Sequence, residues 1–150
     1  MARSVVVLMF LLVVVSHEAE AVSADAGVSA LLTDLFEKGG FGRLPTERAA
    51  FLRANGSGTI ECVLWPKGAA FQRASFHGVI PDGVIAVAHT HPNREKWPSR
   101  GDHTLADRLG IPVLVVTRGG VTGARPGEAQ PTKVMDRLPR ASPGLQCTSQ

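Results

Sequence analysis

The sequence predicts one small α/β domain, and three observations carry that expectation. An amphipathic helical pattern comes first, before any strand signal. Two short strand patterns follow, joined by the turn signal Asn55-Gly56-Ser57-Gly58. Between residues 84 and 117 an apolar strand, a polar loop, a short helix and a second apolar strand then succeed one another.

The helix is read over Ser29 to Lys38. Val28, Leu31, Leu32, Leu35 and Phe36 fall at i, i+3, i+4, i+7 and i+8, one apolar stripe, and Gly39-Gly40 closes it. "ERAAFLRA", residues 47–54, and "TIECVLW", residues 59–65, read as the two strands of a hairpin. The second alternates Ile60, Cys62 and Leu64 against Thr59, Glu61 and Val63. "PKGAAFQRASFHGVIPDG" is irregular, with turns at residues 66–68 and 81–83. "VIAVAHTH", residues 84–91, is a strand whose last residues are polar. Asp102 to Leu109 reads as a helix. Ser99 is its N-cap in a Ser-x-x-Asp version of the capping box, and Gly110 is its stop. "IPVLVVT", residues 111–117, is a buried strand, and short strands are expected near Val121 and around Lys133 to Met135. The tail from Arg137 reads as poorly ordered.

A chain of 150 residues has the length of one domain, and its first part reads as separate from it. Arg3 precedes an unbroken run of eleven apolar residues, Val5 to Val15, and then Ala19-Glu20-Ala21, a small-x-small pattern. This is the form of a secretory signal peptide cleaved after Ala21. An uncleaved anchor is the alternative, but eleven residues cross only about half of a bilayer core that needs roughly twenty. The expected organisation is a signal peptide at 1–21, a domain at 22–136 and a flexible tail at 137–150, in a secreted or periplasmic protein without stable membrane insertion. Cleavage would raise the formal net charge from +3 to +4 by removing Arg3, Glu18 and Glu20. No run of Lys or Arg is present and aromatic residues are few, so nucleic acid is not an expected partner. Cys62 and Cys147 could form one disulfide outside the cytosol.

The chemistry concentrates in "AVAHTHPNREKWPSRGDHTLADRLG", residues 86–110. His89 and His91 are i and i+2 on a strand, so both imidazoles leave the same face, while Thr90 turns into packing. Pro92 ends the strand. If Ser99 caps the next helix, Asp102 lies in its first turn and its carboxylate can return over the strand end. Two His and one Asp leave a fourth position open for water, the pattern of a catalytic zinc. The plainer reading of Asp102 is a partner of the helix dipole, which is compatible with ligation.

The spacing His-x-His, seven residues, Ser, two residues, Asp resembles the signature of the JAMM (MPN-plus, JAB-domain) zinc metalloproteases, including the proline of "HTHP". That signature has an upstream glutamate followed by small and apolar residues. "ERAAFL" supplies Glu47, with Ala50 where the family has glycine; Glu61 in "TIECVL" is the rival. The resemblance spans about Pro45 to Val121. It implies a JAMM-like (cytidine-deaminase-like) mixed, curved sheet flanked by helices, in a compact member of secreted bacterial type. It further implies one Zn2+ per chain on His89, His91 and Asp102, a water activated beside Glu47 as general base, and Ser99 hydrogen-bonded to the oxyanion. The implied activity is hydrolysis of a peptide or isopeptide bond. Candidate substrates are an envelope peptide, a peptidoglycan cross-link or a protein tail, and the oligomeric state is left open. A catalytically inactive binding module and a toxin-like effector domain are the alternatives. His103, about 100° round the helix from Asp102, is expected on the outer face. His77, Arg94 and Trp97 could border the cleft or be plain loop residues. Cys62 is the weakest nucleophile candidate.

Overall fold

The computed structural model describes residues 26–67, 74–92 and 95–149. The segment 1–21, read above as a signal peptide, and Arg94 lie outside the described residues. The described residues form a mixed α/β domain around one seven-stranded sheet with two helices. Among the described residues no helix is long and apolar enough to cross a membrane.

Helix α1 runs from Ala26 to Lys38, starting three residues before the Ser29 expected from the sequence, and buries Val28, Leu31, Leu32, Leu35 and Phe36. The Gly39 amide bonds to the Leu35 carbonyl, and a single 3-10 turn follows at Gly40–Gly42. Gly39 has no room for a side chain, because a Cβ there would stand 2.7 Å from Thr90 Oγ1. The end of α1 is therefore held against the strand that carries the two histidines.

Strand β1 is Ala49–Ala54 and β2 is Ile60–Leu64. They pair antiparallel, with Arg53 opposite Glu61. Asn55 Oδ1 closes the turn by accepting from the Ser57 and Thr59 amides. Strand β3 is Val84–Thr90, and helix α2 is Arg100–Leu109. β4 is Val113–Thr117, β5 Gly120–Ala124, β6 Thr132–Met135 and β7 Thr148–Ser149. β4 starts two residues later than expected: Pro112 has no N–H to give to a ladder, although its carbonyl accepts from Val87.

The sheet order is β6-β5-β4-β3-β1-β2-β7. β3 pairs parallel with β4 across the α2 connection, and β2 pairs parallel with β7. The sheet separates two apolar clusters. α1 lies over Ala50, Leu52, Ala86, Ala88, Leu114 and Val116. Ala106 of α2 lies with Phe51, Val63, Val87, Val113 and Ala124 on the opposite face.

The tail read as loose from Arg137 carries β7 and the buried Cys147. That cysteine forms a disulfide with Cys62, with Cα atoms 4.5 Å apart, and its amide donates to Asp34 of α1. With no free cysteine among the described residues, Cys62 has no thiol to act as a nucleophile.

Candidate metal centre

Sheet register brings the two halves of the site together. β1 and β3 pair antiparallel with Ala49 opposite His89 and Phe51 opposite Val87. Two further residues along each chain, Glu47 comes to stand opposite His91 on the same face. Glu47 itself precedes β1, where the sequence pattern had it opening the strand. The pairing continues irregularly at Arg48, whose carbonyl accepts from the Thr90 amide while its own amide donates to Thr90 Oγ1. Thr90 thus points away from the histidines and fixes the segment that carries Glu47.

The His89 and His91 rings share one side of β3, with their Nε2 atoms 3.0 Å apart. Both side chains are buried. His91 Nδ1 lies 3.1 Å from the Glu95 carbonyl oxygen. A carbonyl only accepts, so His91 carries its proton on Nδ1 and presents the Nε2 lone pair to the cleft. Burial pushes the His89 imidazole down to about 4; the Asp102 carboxylate opposes this and His91 adds to it. Burial thus keeps the His89 ring neutral near pH 7, the form a metal requires.

Asp102 arrives from the first turn of α2. Ser99 is the N-cap in a complete capping box: its Oγ accepts from the Asp102 amide, and its own amide donates to Asp102 Oδ2 at 2.6 Å. The Ser99 hydroxyl also donates to Oδ2, at 2.7 Å. With Oδ2 held in this way, Oδ1 stands 3.3 Å from His89 Nε2. On the other side Glu47 Oε1 stands 4.0 Å from His91 Nε2, and Glu47 Oε2 accepts from the Ala74 amide.

Ligand atoms of Glu47, His89 and His91 all lie within 4.8 Å of one another, and this group could hold a metal ion. Asp102 is the nearer carboxylate to the imidazole pair, at 3.3 Å from His89 and 3.9 Å from His91. Two nitrogens on one tetrahedral zinc at about 2.0–2.1 Å would be roughly 3.3 Å apart, so the imidazole pair fits with a shift of a few tenths of an ångström.

These residues line one cleft of about 640 Å3, within the range of ligand pockets. Its apolar wall includes Ala49, Trp65, Val87 and Leu105. Trp65 packs with Phe51 and Phe76, at centroid distances of 5.1 and 5.4 Å.

The other sequence candidates fall elsewhere. Glu61 is at the far end of the hairpin, bonded to Arg53 and Asn55, and those bonds, Asn55's first, lower its pKa. His103 Nδ1 bonds to the Glu128 carbonyl, away from the cleft. His77 is exposed and is not a cleft residue. Trp97 is exposed and borders a separate shallow cleft with Glu95 and Ser99. Sequence reasoning missed the Glu95 carbonyl, the Ala74 amide and the Trp65 wall. The first two are backbone groups, which residue type does not reveal.

Compared with family models, curated proteins and solved structures, the chain matches none.

Proposed function

We propose that the protein is an exported zinc-dependent hydrolase of peptide or isopeptide bonds, with a JAMM-like fold and site. The observation that carries this reading is the convergence of Glu47, His89, His91, Ser99 and Asp102 on one cleft from three separate segments. His89, His91 and Asp102 would hold the metal. Asp102 is preferred over Glu47 as third ligand because its Oδ1 lies 3.3 Å from His89 Nε2 and the cap fixes its carboxylate, whereas Glu47 approaches His91, at 4.0 Å. A bound zinc would polarise the scissile carbonyl and acidify water toward neutrality.

The remaining roles belong to the chain's own side chains. Glu47, next to the imidazole pair but held by the Ala74 amide, takes a proton from the attacking water and returns it to the leaving amine. Ser99 donates its hydroxyl proton to the developing oxyanion, exchanging its present acceptor, Asp102 Oδ2. The wall at Trp65, Val87 and Leu105 excludes water from one side of the bond and takes an apolar side chain.

One observation favours a non-catalytic binding module: Ser99 and Asp102 already satisfy each other in the capping box, a purely structural arrangement. Glu47→Gln separates the readings. The variant should keep its zinc and lose at least about 100-fold in turnover on a peptide library, the usual contribution of a general base. Loss of the zinc instead would make Glu47 the third ligand. Undiminished turnover would remove Glu47 from the reaction.

A further inference from the structure

The metal cleft has a neighbour. His91 and Glu95 also line a second cleft of about 620 Å3, bounded by Phe41, Arg43, Lys96 and Arg118. A third, of about 730 Å3, shares Phe41, Arg43 and Arg118 and continues past Arg137 and Arg140. The two clefts share a wall at Phe36, Phe41, Arg43 and Arg118, and the groove they make up together adjoins the candidate metal cleft at His91 and Glu95.

Its charge is one-sided. Arg43, Lys96, Arg118, Arg137 and Arg140 line it with two carboxylates, Glu37 and Glu95, and Asp136, bonded to Lys133, also attracts Arg137 from outside the lining. The groove therefore holds a net charge of three, as large as the formal excess of the whole chain. Outside the groove four cations have carboxylate partners: Lys38 pairs with Asp34, Arg53 with Glu61, Arg125 with Glu128 and Lys133 with Asp136. Among the described residues none of the five groove cations has a side-chain ion pair or hydrogen bond.

The second observation is Phe41. It is the sole non-glycine residue with positive φ among the described residues, at φ 57° and ψ 33°, between Gly40 and Gly42, which are also left-handed. A side chain is strained there, and such strain persists where the surroundings impose it. The result is an aromatic ring 48% exposed, set edge-on against Phe36 at 5.9 Å, on the wall common to both clefts.

We propose that this groove binds an acidic stretch of the polypeptide whose scissile bond lies in the metal cleft. Its carboxylates meet the arginines and an apolar side chain meets Phe41. The proposal rests on the peptidase reading above, because the shared border at His91 and Glu95 is what makes the occupant part of the substrate. Arginine suits carboxylates through its paired N–H donors. Exposed pairs are individually weak and screened by salt, so recognition here needs several at once and fades at high ionic strength.

The test uses the full chain and fluorescein-labelled ten-residue peptides containing four Asp or Glu and one Phe. The controls carry Asn and Gln at the acidic positions. Anisotropy reads binding without needing turnover. The acidic peptides should bind at least about tenfold more tightly at low salt, with the preference lost at high salt. Arg43→Glu with Arg118→Glu should abolish the preference, Phe41→Ala should weaken both peptide sets, and Arg125→Glu, outside the groove, should change neither. Equal binding of acidic and amide peptides, or a preference that survives the double reversal, would overturn the proposal. So would inorganic polyphosphate binding more tightly than the peptides at the same two arginines. Zinc-dependent cleavage with no acidic preference would overturn the groove and leave the peptidase reading. Acidic preference mapped to Arg43 and Arg118 without any cleavage would support the groove and remove that reading.

Discussion

Along β3 the side chains alternate between two environments. Ala86, Ala88 and Thr90 turn toward α1, while Val87, His89 and His91 turn toward the face covered by α2. Among the described residues the α1 side gathers fifteen buried residues into one apolar cluster and the α2 side six, so folding free energy is concentrated under α1. On the α2 side, Glu47, His89, His91 and Asp102 take the place that further aliphatic residues would fill. Burying such groups without metal or full hydrogen bonding is unfavourable. A stable face thus holds in place a face that carries polar chemistry at a cost.

The comparison breaks most readily under α1. Leu35 is fully buried there, and Leu35→Ala should destabilise the protein by about 2–5 kcal/mol. The denaturation midpoint in urea should fall accordingly, while the folded fraction keeps its metal affinity. A loss below about 1 kcal/mol would show that the α1 face is not the main source of stability.

The polar face should show itself in pH dependence. The unfolded chain protonates His89 near its ordinary 6.5, whereas the folded protein resists until about 4. The unfolded state binds more protons in this window, so stability falls as pH drops. Stability is fully retained above about 6.5 and decreases down to about 4, by on the order of 3 kcal/mol. Urea titrations of chelator-treated protein across that range measure the slope, and His89→Gln should flatten it. An unchanged slope in that variant would assign the effect to other groups.

Ser99→Ala tests the link between helix capping and the site, with a smaller effect. Loss of an N-cap should cost about 1 kcal/mol. It should also remove the hydroxyl bond to Asp102 Oδ2, with the residue-99 amide bond kept, and weaken zinc binding by about tenfold, the low end for loss of a residue that orients a ligand. Destabilisation with unchanged zinc affinity would make Ser99 a cap only.

Much of this was legible because it depends on local spacing. The i, i+2 placement of His89 and His91, the Ser99–Asp102 box, the Gly110 stop and the α1 stripe are all short-range patterns. The position of Glu47 depended on the pairing of β1 with β3, a long-range register that no local pattern encodes. The resemblance selected Glu47 over Glu61, and the structure brings Glu47 to the cleft and leaves Glu61 at the hairpin tip. The tail was misread as loose for a similar reason. Residues 137–146 are rich in Pro, Gly and charge, and the two contacts that tie the end down, Cys62–Cys147 and β2–β7, both span most of the chain. The basic groove was invisible because Arg43, Arg118 and Arg140 are far apart in sequence and converge only in the fold.

The most direct test of the central claim is zinc stoichiometry by calorimetric titration at neutral pH, on the wild type beside His91→Ala. The arrangement of His89, His91 and Asp102 predicts one tight equivalent per chain in the wild type and none in the variant, with both proteins folded by circular dichroism. Wild-type protein that takes up no zinc, or a variant that binds it equally well, would contradict the claim that these side chains form a metal centre.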